Sequence, residues 1–252
     1  ARGGVGLMVT GGFAPNIEGW LSPFGSRLAT HRAARDHRVI TEAVHREGGR
    51  IALQILHSGR YGYQPLLVAP SRIRSPITPF TPRALSAAGV ERQIRAFVRC
   101  ATLAREAGYD GVEVMGSEGY FINQFLVTHT NKRDDRWGGS YEQRMQLPVE
   151  IDSRVREAVG KDFILIYRIS LIDLVPEGQD WSEVAQLARA IEGAGASMLN
   201  SVSVLNTPRG SGLELQEVVV ERSHAAEARI PIPPRAVPAH EPVAKPPPTP
   251  RA

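Results

Sequence analysis

Up to about residue 200 one unit recurs along the chain: a short apolar run rich in β-branched residues, a polar loop, then a segment whose apolar residues fall at helical spacing. "VGLMVTGG" reads as a strand, and the segment after it carries Val39, Ile40, Ala43 and Val44 on one face before Gly48 and Gly49 stop it. "RIALQILHSG" is the next strand. Beyond a proline- and serine-rich loop, Ile94, Phe97, Val98 and Ala101 mark a second helix, which Gly108 ends ahead of the strand "GVEVMG". Ser140 to Gln143 offers a capping box for a third helix, with Pro148 expected to kink it or mark its effective start. "FILIYRIS" follows as a strand, Val184, Leu187, Ala188 and Ile191 as a helix face, and "SMLNSVSV" as a fifth candidate strand.

Strands that are apolar throughout, alternating with amphipathic helices, call for a parallel sheet covered by helices. The choice is between an open doubly wound sheet and a barrel. No G-x-G-x-x-G follows a strand and opens a helix, so the nucleotide fingerprint of the open sheet is missing. Polar residues collect instead at strand C-terminal ends, as at the mouth of a (β/α)8 barrel: Gln54 with His57, Glu118 with Tyr120, Arg168 with Ser170. The expected fold is therefore an α/β (β/α)8 TIM barrel, incomplete because about five strands can be counted where closure takes eight.

After residue 200 the text changes. Trp181 is the last aromatic, and from Pro231 onward nine of 22 residues are proline, which supply no helical or central-strand hydrogen bond. The expected organisation is a barrel domain over 1–200 and a disordered or polyproline-like tail over 201–252.

Composition closes off several functions. The single cysteine, Cys100, lies in the helical "IRAFVRCATLA" and leaves neither a disulfide framework nor a cysteine-ligated cluster possible within the 252 residues; no metal site is expected. Net charge is +4 with scattered arginines, which fits an anionic small ligand better than nucleic acid. The sequence has no long apolar span and no signal-peptide pattern, so a cytoplasmic protein with no membrane association is expected. Unclosed barrel edges would allow self-association.

The strand-end residues suggest chemistry. An amide (Gln54) can donate and accept toward a ring alternating C=O and N–H, and a guanidinium (Arg168) can stabilise negative charge on it. A phenol (Tyr120) beside a carboxylate (Glu118), fenced by glycines in "MGSEGY", can protonate a carbanion. His57 and Arg60 in "HSGRYGY" suit either the ligand's edge or loop capping, and Met115 lines a wall.

The wording "LQILHSGR", "GYDGVEVMGSEGYFINQFL", "TNKRDDRWGGSYEQRM" and "IYRIS", in that order, resembles the flavin-binding barrel of the old yellow enzyme family over residues 1–200. "MGSEGY" looks most like its NADPH-dependent 2,4-dienoyl-CoA reductase branch. The resemblance implies FMN as cofactor, NADPH as electron source and an unsaturated acyl-CoA as substrate in fatty-acid oxidation. Gln54 would bond the pyrimidine edge of FMN, Arg168 would stabilise the reduced ring near N1 and the C2 carbonyl, and His57 and Arg60 would lie nearby. Tyr120 would be the acid, supported by Glu118, with Met115 at the substrate. Many members of the family carry His at the Met115 position and His or Asn at that of Glu118, so these two residues weigh against ketone-type enones.

The departures are as informative. Relatives of this branch look like three-part proteins with a four-cysteine iron–sulfur site and FAD and NADPH domains; ligands for FAD and a 4Fe-4S cluster are not found here. The branch's catalytic histidine precedes a "HEARIP"-like segment, and in "SHAAEARIP" His224 is the nearest candidate. The expected activity is an FMN-dependent ene-reductase. The alternatives are another enone reductase or NADH:flavin oxidoreductase of the same family, and a catalytically inactive fragment or interaction scaffold.

Overall fold

The computed structural model describes residues 1–203. His224 and the proline-rich tail lie outside the described residues. In chain order the elements are β1 (Leu7–Phe13), α1 (His31–Arg46), β2 (Arg50–Ile55), β3 (Val68–Ala69), β4 (Arg83–Ala84), α2 (Ala87–Glu106), β5 (Gly111–Met115), α3 (Phe121–Leu126), α4 (Tyr141–Arg144), α5 (Gln146–Val159), β6 (Ile164–Ile172), α6 (Trp181–Gly193) and β7 (Met198–Ser203).

β1, β2, β5, β6 and β7 form one five-stranded sheet whose spatial order is the chain order. Every adjacent pair is parallel. A doubly wound sheet reverses its strand order at a switch point, and there is no reversal here. The sheet is an arc of (β/α)8 barrel wall, as the alternation of apolar strands and amphipathic helices leads one to expect. β3 and β4 are a separate two-residue parallel pair in the β2–α2 connection, too short to leave a periodic trace in the sequence.

Strand pleating sorts the residues onto two faces. Leu53, Ile55, Val112, Val114, Leu165, Tyr167 and Ile169 join one hydrophobic core with Ile94, Phe97, Cys100 and Ala101 of α2, Leu147, Ile151 and Val155 of α5, and Val184, Leu187 and Ile191 of α6. Residues of the opposite parity, among them Gln54, Glu113, Met115, Arg168 and Asn200, look to the other side, the barrel interior. Cys100 is fully buried and burial pushes its thiol up, so it behaves as a small hydrophobe.

Helix starts follow local chemistry. The Ser140 capping box is formed, and Asp180 with Glu183 makes a second one at α6. Pro148 falls in the first turn of α5, where its missing N–H has no intrahelical partner to lose, so it marks the start and not a kink. No helix among the described residues is long and apolar enough to cross a membrane.

Candidate active site

Gln54, Glu113, Met115, Arg168 and Asn200 come together by register. Gln54 is paired with Gly12 of β1 on one side and Glu113 of β5 on the other, while Arg168 of β6 is paired with Met115 and with Asn200 of β7. Two rows of inward side chains thus lie one above the other near the C-terminal ends of the strands.

Glu113 anchors the lower row. It is buried, and its carboxylate accepts from Gln54 Nε2 through Oε2 at 2.6 Å and from Asn200 Nδ2 through Oε1 at 2.6 Å. A carboxylate only accepts, so it settles which way both amides face. Gln54 Nε2 must point at Glu113, and Gln54 Oε1, which makes no hydrogen bond among the described residues, is left as a free acceptor. Neither Glu113 nor Asn200 was expected from the sequence. The available signal was a charged residue inside the otherwise apolar strand "GVEVM".

The upper row carries the ion pair. Arg168 Nε and Nη2 both lie 2.8 Å from Glu118 Oε1, with each side chain about a quarter exposed. Glu118 holds a left-handed backbone, φ 61°, uncommon for a residue with a Cβ, and its amide donates to Ser170 Oγ at 3.1 Å. The two contacts to β6 hold the loop in this conformation. Gly116 and Gly119 are required there. A Cβ on Gly116 would overlap Tyr167 Oη, and one on Gly119, itself at φ 74°, would overlap Tyr61 Oη.

Tyr120 is the residue before α3. It is half-buried, with its ring edge-on to Tyr61 at 5.9 Å. Burial chiefly, then the negative charge of Glu118 and the neighbouring Tyr61, raise its pKa above the usual 10. The phenol therefore keeps its proton at neutral pH and can donate it. Met115 is buried beneath this loop, its sulfur 3.7 Å from Ser117 Oγ.

Two expected residues are placed elsewhere. His57 continues the outward parity of Leu53 and Ile55, and it is buried against Phe121 and Phe97 on the helix side, with ring centroids at 4.2 and 6.4 Å. Its Nδ1 accepts from the Gly59 amide at 3.0 Å, and burial lowers its pKa to about 3. It is a neutral histidine that caps its loop away from the inner face, the second of the two places the sequence allows; parity, and not sequence distance from Gln54, decides this. Arg60 is also buried. Its amide donates to Gln124 Oε1 at 3.1 Å, and its guanidinium lies over the Tyr61 ring and reaches the Arg74 carbonyl. Among the described residues no cluster of His, Cys, Asp and Glu could hold a metal.

The arrangement offers an amide acceptor, a cation, an anion and a protonated phenol around one open face. The pattern of the NADH:flavin oxidoreductase / NADH oxidase family matches residues 1–223. The chain is 38% identical over 205 residues to a metal reductase of Desulforamulus reducens, with 79% of this chain and 30% of that one covered. It is 32% identical over 201 residues to an NADPH dehydrogenase of a Geobacillus species, covering 79% of this chain and 58% of the relative. Of solved structures, 2-naphthoyl-CoA reductase superposes with a TM-score of 0.74 at 29% identity, over 81% of this chain and 34% of that one. Morphinone reductase gives a TM-score of 0.72 at 29% identity, over 77% and 58%. The chain thus spans about a third of the length of the metal reductase and under two thirds of the NADPH dehydrogenase. By sequence pattern and by the course of its barrel wall, it belongs to the NADH:flavin oxidoreductase / NADH oxidase family, the old yellow enzyme family.

Proposed function

We propose that the chain carries the flavin face and proton donor of an FMN-dependent, NAD(P)H-driven ene-reductase of the 2,4-dienoyl-CoA reductase type, which reduces a conjugated C=C of an acyl thioester. The observation that supports it most directly is the Arg168–Glu118 pair with the protonated Tyr120 phenol two residues on, all at the mouth of the barrel wall.

The residues present fit FMN. Glu113 turns Gln54 Oε1 into a fixed acceptor suited to a ring N–H, and Arg168 Nη1, which makes no hydrogen bond among the described residues, is a donor suited to a ring carbonyl. Gly12 keeps the wall thin beside them, since a Cβ there would lie 2.7 Å from Leu56 Cβ and 3.2 Å from Gln54 Oε1. When bound, FMN supplies the hydride that NAD(P)H provides. The chain's own residues supply the rest. Tyr120 donates its proton to the substrate carbon that becomes electron-rich, and Glu118 holds Arg168 at the site while keeping the phenol protonated. Met115 gives this face an apolar side chain instead of a carbonyl-gripping imidazole. The 2-naphthoyl-CoA reductase similarity supports a thioester substrate.

A second reading is an NAD(P)H:flavin oxidoreductase without a dedicated alkene substrate. It is favoured by relatives such as the NADH oxidase of Thermoanaerobacter brockii, 37% identical over 213 residues. The chain is incubated with excess FMN and gel-filtered, and turnover of a dienoyl-CoA is compared with that of a cyclic enone. Retained flavin absorbance with preferential dienoyl-CoA reduction, lost in Tyr120→Phe, is the expected result. Faster enone turnover favours the other family activities, and wild-type turnover by Tyr120→Phe removes Tyr120 as the acid.

A further inference from the structure

The loop bearing Tyr120 is held from one side by β6, through Glu118, and from the other by a chain of side chains that leads away from the inner face. The Gly119 amide donates to Asn123 Oδ1 at 2.8 Å. Asn123 is buried, and its Nδ2 donates to Asp173 Oδ1 at 3.2 Å. Asp173 follows β6, and its other oxygen, Oδ2, accepts from Gln179 Nε2 at 2.8 Å and from the Gln179 amide at 3.3 Å. Gln179 Oε1 in turn accepts from Tyr141 Oη at 2.6 Å. Three elements are thereby tied to one peptide group: the first turn of α3, the β6–α6 connection and α4.

The direction of every bond in this chain is set by Asp173. A carboxylate has only acceptors, so it forces Nδ2 of Asn123 toward itself and leaves Asn123 Oδ1 for Gly119. Gly119 needs that acceptor. It sits at φ 74° between Glu118, itself at φ 61°, and Tyr120; the Gly119 carbonyl accepts from Gln124 Nε2 at 2.7 Å and the Tyr120 amide donates to Ser117 O at 3.2 Å, which leaves the Gly119 N–H to Asn123. A partly buried N–H with no acceptor there would let the segment relax.

We propose that Asp173 is a positioning residue for the proton donor: by fixing the amide orientation of Asn123 it fixes the Gly119 peptide, and with it where the Tyr120 phenol points. The proposal rests on the reading of Tyr120 as the acid, but the tie itself can be measured without turnover.

Asp173→Asn is nearly isosteric and places an amide NH2 against Asn123 Nδ2. Asn123 must then flip to present its oxygen, turning Nδ2 toward the Gly119 N–H and removing its acceptor. The reciprocal exchange Asn123→Asp with Asp173→Asn restores every bond with donor and acceptor swapped between the two sites. The carboxylate introduced at position 123 accepts from the Gly119 amide and from the NH2 introduced at position 173, and the amide oxygen at position 173 accepts from Gln179.

The experiment is amide hydrogen exchange and 15N–1H spectroscopy at Gly119, with the Tyr120 ring resonances followed in parallel and assigned from Tyr120→Phe. The expected result is that Asp173→Asn speeds Gly119 exchange about tenfold or more and moves the Tyr120 ring signals, and that the double exchange returns both to wild-type values. If Asp173→Asn alone unfolds the chain, recovery of the wild-type Gly119 and Tyr120 signals in the double variant carries the same conclusion. Unchanged Gly119 exchange in Asp173→Asn, or a double variant no better than the single one, overturns the proposal. Loss of the tie with Tyr120→Phe fully active would leave the positioning intact and remove the acid reading instead.

Discussion

Glu113 is a carboxylate inside a barrel wall, and its two short hydrogen bonds explain why it is tolerated there: both oxygens are satisfied by amides that it orients. Glu113→Gln would bring one NH2 against either Gln54 or Asn200 and free Gln54 to turn. We expect FMN affinity to fall by about tenfold to hundredfold, on the order of 1–3 kcal/mol for a disrupted buried hydrogen-bond set. Flavin fluorescence titration measures this, and unchanged affinity would mean that Gln54 is oriented by something other than Glu113. For Tyr120 the sign of the electrostatics is open to test. Burial first, then the negative charge of Glu118 and the neighbouring Tyr61, disfavour the phenolate and hold its pKa above 10. Glu118→Gln removes the charge and leaves Arg168 uncompensated, so the phenol's pKa should fall. The alkaline limb of kcat/KM, or the Tyr120 Cζ titration, should then move to lower pH; a move upward would show that Glu118 acts chiefly through Arg168 and not on the phenol.

Between α5 and β6 lies a second polar cluster that the chemistry does not use. Asp152 of α5 and Tyr167 of β6 are fully buried, and neither Asp152 oxygen nor Tyr167 Oη has a hydrogen-bond partner. Burial holds the Asp152 carboxyl protonated, its pKa well above 3.8, with only Arg156 opposing. A carboxyl raised in this way supports folding below its unfolded pKa and opposes it progressively as pH rises above that value. Asp152→Asn keeps the shape and removes the titration. It should stabilise the fold at pH 7 by about 1–3 kcal/mol and confer little of this gain near pH 4, as read from urea unfolding at the two values. Equal gains at both pH values would show that Asp152 is not held protonated. Tyr167 lies directly under Gly116, which links this helix–sheet contact to the base of the reactive loop.

The five-strand arc leaves β1 and β7 each paired on one side among the described residues. Val9 on β1 and Met198 and Leu199 on β7 are exposed. A parallel strand edge with apolar neighbours is a template for another strand. For the chain as it stands we expect concentration-dependent association in sedimentation velocity, and we expect Leu199→Lys to reduce it with little effect on the far-ultraviolet spectrum. A monomer at all concentrations would mean that these edges are already covered. The same openness explains why the inner face, with Gln54 and Arg168, is only partly buried.

Much of this was legible in local patterns. Alternating apolar runs and helical stripes specify the β/α repeat, and polar residues at strand ends mark the mouth, because side-chain period and strand direction are properties of short segments. The fold follows from them, as does the position of Gln54, Glu118, Tyr120 and Arg168 at strand ends, while the family is carried by the exact wording of the motifs within residues 1–200. What short segments do not carry is which groups meet across units. Glu113 reaches Asn200 across 87 positions, and Asn123 reaches Asp173 across 50. His57, three residues from Gln54, turns to the opposite face because its parity differs. These outcomes depend on strand register and on how each helix seats against the sheet. Both are set by burying many side chains at once and not by any one stretch of chain.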